Sequence, residues 1–220
     1  MMIDINCVLF DLDGTLADTS VDMCNCLNNI LEKRDLKKVN CEELKFHISR
    51  GVLGIIEYAS YVNGRSVDSS LMRSEFLDDY KGNCFEKTNL INDIEALLKE
   101  LELKSILWGI VTNKHYKFAN QIIEGLGIKD RSSCLITGNM VDNPKPSPDM
   151  LIKASTLLNI KTKNIIYIGD DERDIIAGRL AGMKTAIANF GFIHQDTNLT
   201  AWNSDYILNK PKDLLKILNK

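Results

Sequence analysis

The residues best suited to chemistry lie directly after short apolar segments of the chain. Asp11-Leu12-Asp13-Gly14-Thr15 follows one such segment, Thr112-Asn113-Lys114 follows another, and Gly169-Asp170-Asp171-Glu172-Arg173-Asp174 follows a further one. Lys145 stands between two prolines, whose rings stiffen the backbone around it. The chain therefore offers carboxylates, a hydroxyl and an amine at points where strands are expected to end.

These residue types suit phosphoryl transfer from a phosphate monoester. A carboxylate attacks phosphorus and holds it as an acyl phosphate, which splits a difficult hydrolysis into two easier steps. A divalent cation offsets the repulsion between an anionic nucleophile and an anionic substrate, and Mg²⁺ prefers carboxylate oxygens as ligands. A second acid protonates the leaving oxygen and later activates water. Hydroxyl, backbone N–H and ammonium groups hold the other phosphate oxygens.

The elements that position these residues follow from the hydrophobic pattern. The apolar segments are continuous, which is typical of strands buried on both faces of a parallel sheet. Helical periodicity lies between them, so the pattern predicts an α/β fold with a doubly wound, mainly parallel sheet and a Rossmann-like core. Ligands bind at the carboxyl ends of the strands in such sheets. The predicted strands are Ile5–Phe10, Ile106–Thr112, Cys134–Thr137, Ile165–Ile168, Thr185–Ala188 and Tyr206–Leu208.

Helical patterns without a convincing strand interrupt this rhythm early in the chain. We therefore expect residues 1–15 and 88–220 to form the α/β core, and residues 16–87 to form a helical cap inserted after the first strand. The predicted cap helices are Val21–Glu32, Glu42–Ile48, Val52–Tyr61 and Val67–Tyr80.

Taken together, the motifs resemble those of the haloacid dehalogenase-like phosphatases. Asp11-Leu12-Asp13-Gly14-Thr15-Leu16 is similar to the first motif of that family. Thr112-Asn113, Lys145 and Gly169-Asp170-Asp171-x-x-Asp174 are similar to the remaining motifs, in the same order. The resemblance covers essentially the whole chain, including the inserted cap. An aspartate at Asp13 is typical of the phosphatases and phosphomutases, because the dehalogenases of this superfamily need no acid there.

The resemblance implies a role for each matching residue. Asp11 is implied as the nucleophile, Asp13 as the general acid and base, and Lys145 as a further catalytic group. The implied substrate-binding residues are Gly14, Thr112, Asn113 and Lys145 for phosphate and Arg50 for the rest of the molecule. The implied Mg²⁺ ligands are Asp11, Asp13 through its backbone carbonyl, and Asp170, with Asp171 and Asp174 in support. Whether Asp171 or Asp174 lies closer to the metal stays open.

A subgroup resemblance bears on the substrate. Tyr167–Met183, followed by Phe190-Gly191-Phe192-Ile193, resembles the phosphoglycolate phosphatase group, and in particular bacterial members with the tail G-Y-I-H. Some of those act on N-acetylmuramic acid 6-phosphate. Segment 48–54, which contains Arg50, resembles the cap loop that faces the substrate. The first candidate substrate is therefore 2-phosphoglycolate, with N-acetylmuramic acid 6-phosphate or another sugar phosphate as the alternative.

Other interpretations stay open beside this one. A phosphomutase of the β-phosphoglucomutase type would use the same Asp11 and Asp13, and a non-catalytic regulator on this fold is disfavoured because every motif residue is present. Taken singly, Asp-Gly is a common turn signal, Asp174 suits a helix N-cap, and Lys145 and Arg50 suit solvated positions. Their occurrence together and in order favours the catalytic interpretation.

Composition excludes several classes of protein. The 220 residues include 27 basic and 30 acidic ones, so the net charge of −3 gives no basic surplus for nucleic acid. The apolar segments are too short to span a bilayer, and the N-terminal residues lack the features of a signal peptide. We expect a cytoplasmic monomer or homodimer that acts on a small phosphorylated metabolite and binds neither nucleic acid nor membrane.

The cysteine pattern bears on redox state and on zinc. Six cysteines without a secretory signal are expected to be reduced thiols rather than a disulfide framework. Cys24 and Cys26 form a C-x-C pair, but no second pair follows at ligand spacing, so a zinc site is not expected.

Overall fold

A computed structural model describes residues 5–66 and 68–218 of the chain. A short strand is followed by a run of helices, after which strands and helices alternate to the end. In chain order the elements are β1 (Cys7–Phe10), β2 (Ala17–Asp18), α1 (Ser20–Lys33), α2 (Cys41–Ile48), α3 (Gly51–Asn63), α4 (Ser69–Asn83), β3 (Asn89–Leu90), α5 (Ile94–Leu103), β4 (Leu107–Thr112), α6 (Tyr116–Gly125), β5 (Leu135–Thr137), α7 (Asp149–Leu158), β6 (Ile165–Gly169), α8 (Glu172–Leu180), β7 (Lys184–Ala188), β8 (Tyr206–Leu208) and α9 (Asp213–Leu218).

The main sheet is parallel throughout and has the strand order β5-β4-β1-β6-β7-β8. The first strand, β1, lies near the centre, between β4 and β6, and later strands extend the sheet in both directions. This confirms the predicted doubly wound α/β fold. Every strand predicted from the apolar segments is present, and its ends differ from the prediction by no more than two residues.

Alternate residues of the central strand face different helices, which explains why its sequence is apolar throughout. All residues of β1 are buried. Val8 and Phe10 join a core cluster with residues of α5 and α6, whereas Cys7 and Leu9 join a second cluster with residues of α7 and α8. Burial on both faces leaves no room for the polar alternation of a half-exposed strand.

The two-residue strands β2 and β3 were not predicted. They pair with each other in antiparallel fashion, with Ala17 opposite Leu90 and Asp18 opposite Asn89. They lie where the chain enters and leaves the helical insertion. Elements of this length carry no periodicity that the sequence could display.

Helices α1–α4 form the insertion, which we call the cap, and they pack around an apolar cluster of their own. The fully buried members include Leu27, Leu31, Ile55 and Phe76. Phe118 of α6 and Phe192, which follows β7, also join this cluster. The cap therefore has its own core and rests on aromatic side chains of the α/β part. We propose the division expected from the sequence, with residues 16–87 as the cap.

The cap helices begin and end close to the predicted positions. Asn40 caps α2 by accepting a hydrogen bond from the backbone N–H of Glu42, and Asp68 caps α4 by accepting one from Leu71. The predicted start of the last cap helix, Val67, lies outside the described residues.

The expectation of six free thiols is wrong for two of them. Cys24 in α1 and Cys41 at the start of α2 form a disulfide, with their Cα atoms 5.5 Å apart. The loop between α1 and α2 turns the chain back so that the two residues meet across the helix pair. Sequence separation alone does not reveal this proximity. Cys7, Cys26, Cys84 and Cys134 are buried free thiols.

Across residues 5–66 and 68–218, every helix falls short of the length and apolar character needed to cross a bilayer.

Candidate active site

The sheet register brings the predicted motifs to one edge. Phe10 at the end of β1 lies opposite Ile110 of β4 and Ile168 of β6. The next residue, Asp11, donates its backbone N–H to the carbonyl of Ile168 at 2.8 Å. Thr112 ends β4 two residues beyond Ile110, at the same edge of the sheet. Side chains that are distant in sequence therefore meet at the carboxyl ends of these strands, as the parallel topology requires.

A cluster of buried carboxylates forms the centre of the site. Asp11, Asp170 and Asp174 each place a carboxylate oxygen within 4.8 Å of the others. Burial raises the pKa of Asp170 well above its usual value, and the carboxylates of Asp11 and Asp174 raise it further. The cluster concentrates more negative charge than the neighbouring amine of Lys145 neutralises.

Asp11 has an oxygen without a hydrogen-bond donor. The residue is 8% exposed, and its Oδ1 receives no hydrogen bond from the described residues. The Nζ of Lys145 lies 3.0 Å from Oδ1 as an ion pair, but not in hydrogen-bonding geometry. Burial raises the pKa of Asp11 to about 6, although the charge of Lys145 opposes this change.

Asp170 is held from two sides. Its Oδ1 accepts a hydrogen bond from Thr15 Oγ1 at 3.3 Å, and its Oδ2 accepts one from the backbone N–H of Phe192 at 2.9 Å. Gly14 packs against the same carboxylate with a φ of +77°, and a Cβ there would collide with Oδ2. A glycine is required at this turn for both reasons.

Lys145 is fixed by a buried network. Its Nζ lies 2.6 Å from Oδ1 of Asp174 and donates a hydrogen bond to the hydroxyl of Tyr167 at 2.8 Å. Burial alone would lower the pKa of Lys145, but the carboxylates of Asp11 and Asp174 raise it above its usual value. The amine is therefore a permanent cation beside Asp11.

The side chains of Thr112 and Asn113 form different hydrogen bonds. The amide of Asn113 donates to the carbonyl of Lys145 and accepts from its N–H, both at 3.0 Å. This side chain therefore holds the lysine loop in place. Thr112 is buried, and its Oγ1 accepts a hydrogen bond from the N–H of Lys114 at 3.2 Å.

Asp13 is not a member of the carboxylate cluster and has partners of its own. Its Oδ1 accepts hydrogen bonds from Thr19 Oγ1 at 2.6 Å and from Lys114 Nζ at 2.9 Å. Burial alone would lower the pKa of Lys114, but Asp13 and Tyr80 raise it above its usual value. The side chain of Asp13 is thus held by two donors at the cavity wall.

Asp171 and Asp174 have different partners. Asp174 belongs to the carboxylate cluster, whereas Asp171 caps α8 and forms an ion pair with Arg173 at 2.7 Å. Burial raises the pKa of Asp171, but its hydrogen bonds and charge interaction with Arg173 lower it below the usual value. Of these two residues, Asp174 is the one whose carboxylate belongs to the cluster that could hold a cation.

A cavity of about 230 Å³ lies between these motifs and the cap. Arg50 reaches its wall from the N-cap position of α3, but the side chain is 61% exposed and lies 3.8 Å from Glu57. Much of the wall is apolar or aromatic. These side chains are Met23, Ile48, Val52, Phe76, Leu77, Tyr80 and Phe118.

Comparison with known proteins decides the family. Residues 8–188 match the family model described as haloacid dehalogenase-like hydrolase. The chain is a haloacid dehalogenase-like hydrolase. The hydrolase is 35% identical over 98% of its length, and 96% of the relative, to an N-acetylmuramic acid 6-phosphate phosphatase from Pseudomonas putida. It is 33% identical over 94% of its length, and 93% of the relative, to a phosphoglycolate phosphatase from Xanthomonas campestris.

Solved structures have the same fold. The hydrolase superposes with a TM-score of 0.87 on the crystal structure of a predicted phosphoglycolate phosphatase from Haemophilus somnus, at 22% identity and 99% coverage of both chains. A haloacid dehalogenase-like family hydrolase from Streptococcus pneumoniae gives a TM-score of 0.81 at 24% identity, covering 97% of this chain and 98% of that one. The curated relatives also confirm the predicted class of enzyme, a phosphoric monoester hydrolase.

The donor set of the hydrolase fits a divalent cation. The clustered carboxylates are hard oxygen ligands, and the unsatisfied Oδ1 of Asp11 is a buried acceptor without a donor. Burial is the largest cause of the raised pKa of Asp170, and a cation would offset the repulsion from Asp11 and Asp174 that adds to it. The residues present therefore suit the metal that the family uses.

Several residues that line the site or bond to its residues were not among the predicted ones. Lys114 was visible directly after the second motif, and Arg173 lies inside the last motif. Tyr167 lies in a strand that the sequence presents only as apolar, and Tyr80 lies in a cap helix. No sequence signal links either tyrosine to the site, because the contact depends on how the elements pack.

Proposed function

We propose that this hydrolase is a Mg²⁺-dependent phosphomonoesterase that works through an aspartyl-phosphate intermediate. The unsatisfied carboxylate oxygen of Asp11, buried at the edge of the sheet beside a permanent cation, carries this proposal. In the first step a carboxylate oxygen of Asp11 bonds to phosphorus while the bond to the leaving oxygen breaks. In the second step water attacks the same phosphorus and releases Asp11 and inorganic phosphate.

Mg²⁺ would be held by the clustered carboxylates of Asp11 and Asp170, with Asp174 in support. The family resemblance adds the backbone carbonyl of Asp13 as a further ligand. When bound, it neutralises charge on the phosphate oxygens and on the attacking carboxylate. Lys145 adds a fixed positive charge on the same side, because Asp174 and Tyr167 leave its amine little freedom.

Proton transfer is assigned to Asp13. Its carboxyl group gives a proton to the leaving alkoxide in the first step and takes one from the attacking water in the second. Thr19 and Lys114 hold the side chain at the cavity wall. Gly14, Thr112 and Asn113 contribute to phosphate binding, and for Asn113 the backbone is the available part because its amide already bonds Lys145.

The substrate that we favour is N-acetylmuramic acid 6-phosphate. The aromatic and aliphatic wall formed by Phe76, Tyr80 and Phe118 with its neighbours suits the C–H faces of a sugar ring and an acetyl methyl group. The Pseudomonas putida relative supports the same substrate. The second candidate is 2-phosphoglycolate, which is favoured by Arg50 in the cavity wall and by the Xanthomonas campestris relative. A cytoplasmic location and a monomeric or homodimeric state stay predictions.

The test is kcat/KM for both phosphate esters, measured with Mg²⁺ and with EDTA. We expect hydrolysis that requires the metal, a preference for the sugar phosphate, and no turnover by Asp11→Asn. Full activity of Asp11→Asn would exclude the aspartyl-phosphate route. A preference for 2-phosphoglycolate would be consistent with the proposed mechanism but would show that N-acetylmuramic acid 6-phosphate is not the preferred substrate.

A further inference from the structure

Arg173 is tied to the core by a forked ion pair. Its Nε lies 2.7 Å from Oδ1 of Asp171, and its Nη2 lies 3.2 Å from Oδ2 of the same carboxylate. The backbone N–H of Arg173 also donates to Asp171 at 2.9 Å. A planar guanidinium that meets both oxygens of a carboxylate has a defined orientation. The arginine head is therefore positioned by the first turn of α8.

The same guanidinium reaches the cap. Nη2 of Arg173 donates a hydrogen bond to the backbone carbonyl of Ser49. Ser49 is the C-cap residue of α2, where helix carbonyls carry partial negative charge that favours a cation. The contact joins residues separated by 124 positions in sequence and crosses from the core to the cap.

Ser49 begins the part of the cap that faces the cavity. Ser49, Arg50, Gly51 and Val52 all line it, and Arg173 lines it from the core side. Gly51 has a φ of +73°, so the chain turns sharply between α2 and α3 at this point. A bond that fixes the carbonyl of Ser49 therefore also fixes the rim of the cavity.

The core end of this link is close to the reacting groups. Asp174 follows Arg173 directly and contacts Lys145, and its Oδ2 accepts the N–H of Asp171 at 3.1 Å. The first turn of α8 thus holds a member of the carboxylate cluster on one side and the arginine that reaches the cap on the other. The position of the cap loop at Ser49 and the position of the Asp174 carboxylate therefore both depend on the first turn of α8.

We propose that Arg173 is a positioning residue that holds the cap loop 48–52 over the cavity and so selects substrates whose non-phosphate part contacts the cap. Asp171 serves this purpose by orienting Arg173, since the guanidinium fork occupies both of its oxygens. The inference rests on the proposed phosphomonoesterase activity and adds a determinant of specificity to it.

The experiment compares Arg173→Ala with Arg179→Ala, an exposed arginine later on the same helix that does not line the cavity. Both full-length variants are assayed with Mg²⁺ on N-acetylmuramic acid 6-phosphate and on p-nitrophenyl phosphate. The second substrate is chosen because we expect its small aryl group to make few contacts with the cap. For Arg173→Ala we expect kcat/KM on the sugar phosphate to fall about tenfold to a hundredfold, mainly through KM. On p-nitrophenyl phosphate the change stays within about threefold, and Arg173→Lys restores part of the loss.

Hydrogen exchange of segment 47–53 in the ligand-free chain gives a second readout that does not depend on activity. It should be faster in Arg173→Ala than in the wild type and unchanged in Arg179→Ala. Equal losses on both substrates, or unchanged exchange, would overturn the role of Arg173. Failure of the wild type to hydrolyse either ester would overturn the proposed function, while the exchange measurement would still decide whether Arg173 holds the loop.

Discussion

Lys114 and Asp13 form an ion pair at the cavity wall, with Nζ 2.9 Å from Oδ1 and 3.1 Å from Oδ2. The side chain of Lys114 is 7% exposed and that of Asp13 is 15% exposed, so water screens the pair only weakly. The Nζ also lies 5.0 Å from the ring centre of Tyr80 in the cap. The proposed acid and base is therefore held by a cation that itself touches the cap.

Replacement of this lysine should slow the chemical step. In Lys114→Met the carboxyl of Asp13 loses two charge-assisted contacts and its fixed orientation, so we expect kcat to fall about tenfold to a hundredfold with a smaller change in KM. Steady-state kinetics on the preferred ester measures both values. Lys117→Met, at an exposed position three residues later, is the matched control. Wild-type kcat in Lys114→Met would show that the pair is dispensable.

The hydroxyl of Tyr167 should contribute to both stability and rate. It accepts a hydrogen bond from Lys145 and lies 2.8 Å from the carbonyl of Val111 and 3.1 Å from Oδ1 of Asp174. In Tyr167→Phe these buried groups lose a partner, which should lower the free energy of unfolding by about 1–3 kcal/mol and reduce kcat. Urea unfolding and kinetics check this.

Tyr61→Phe is the control for this substitution, since Tyr61 is 82% exposed. Equal unfolding midpoints for Tyr167→Phe and wild type would contradict the network.

The carboxylate cluster should destabilise the metal-free protein at neutral pH. Burial raises the pKa of Asp11 from 3.8 to about 6, so the folded chain binds a proton more tightly than the unfolded chain. Asp11 therefore lowers the free energy of unfolding in a pH-dependent way. The effect is absent below the unfolded-state pKa of 3.8, grows as the pH rises, and is complete above the folded-state pKa of about 6. Asp11→Asn removes the charge, and in EDTA its Tm should exceed that of the wild type.

Thermal unfolding in EDTA at about pH 7.5 and about pH 5 measures this difference. The advantage of Asp11→Asn should be larger at the higher pH, and Mg²⁺ should stabilise the wild type more than the variant. If the difference in Tm between Asp11→Asn and the wild type were the same at both pH values, the raised pKa of Asp11 would be contradicted.

The disulfide of the cap should stabilise the fold. Cys24 and Cys41 are separated by 17 residues, and closing a loop of that length removes about 3 kcal/mol of chain entropy from the unfolded state. Dithiothreitol should therefore lower the urea midpoint of the wild type. The Cys24→Ser/Cys41→Ser variant should have a lower midpoint than the oxidised wild type, and dithiothreitol should leave the midpoint of the variant unchanged. An unchanged wild-type midpoint on reduction would show that the bond does not form in solution or adds nothing.

Much of the fold could be predicted because it depends on local patterns. The continuous apolar run at Cys7–Phe10 requires burial on both faces, and the other strands follow the same rule. The short pair β2 and β3 could not be predicted, since its two strands lie on either side of the cap in sequence and meet only in the tertiary structure. The disulfide was mispredicted for the same reason: Cys24 and Cys41 meet through helix packing.

The order of the motifs and the edge at which they meet follow from the sequence, because the carboxyl ends of parallel strands lie on one side of the sheet. Asp11, Thr112 and Asp170 are placed by that rule alone. The pairing of residues from different elements is visible only in the folded protein: Asp174 with Lys145, Asp13 with Lys114, and Arg173 with the backbone carbonyl of Ser49. Such pairs depend on distances across packed elements, and side-chain packing in three dimensions is not encoded in the spacing of residues along one chain.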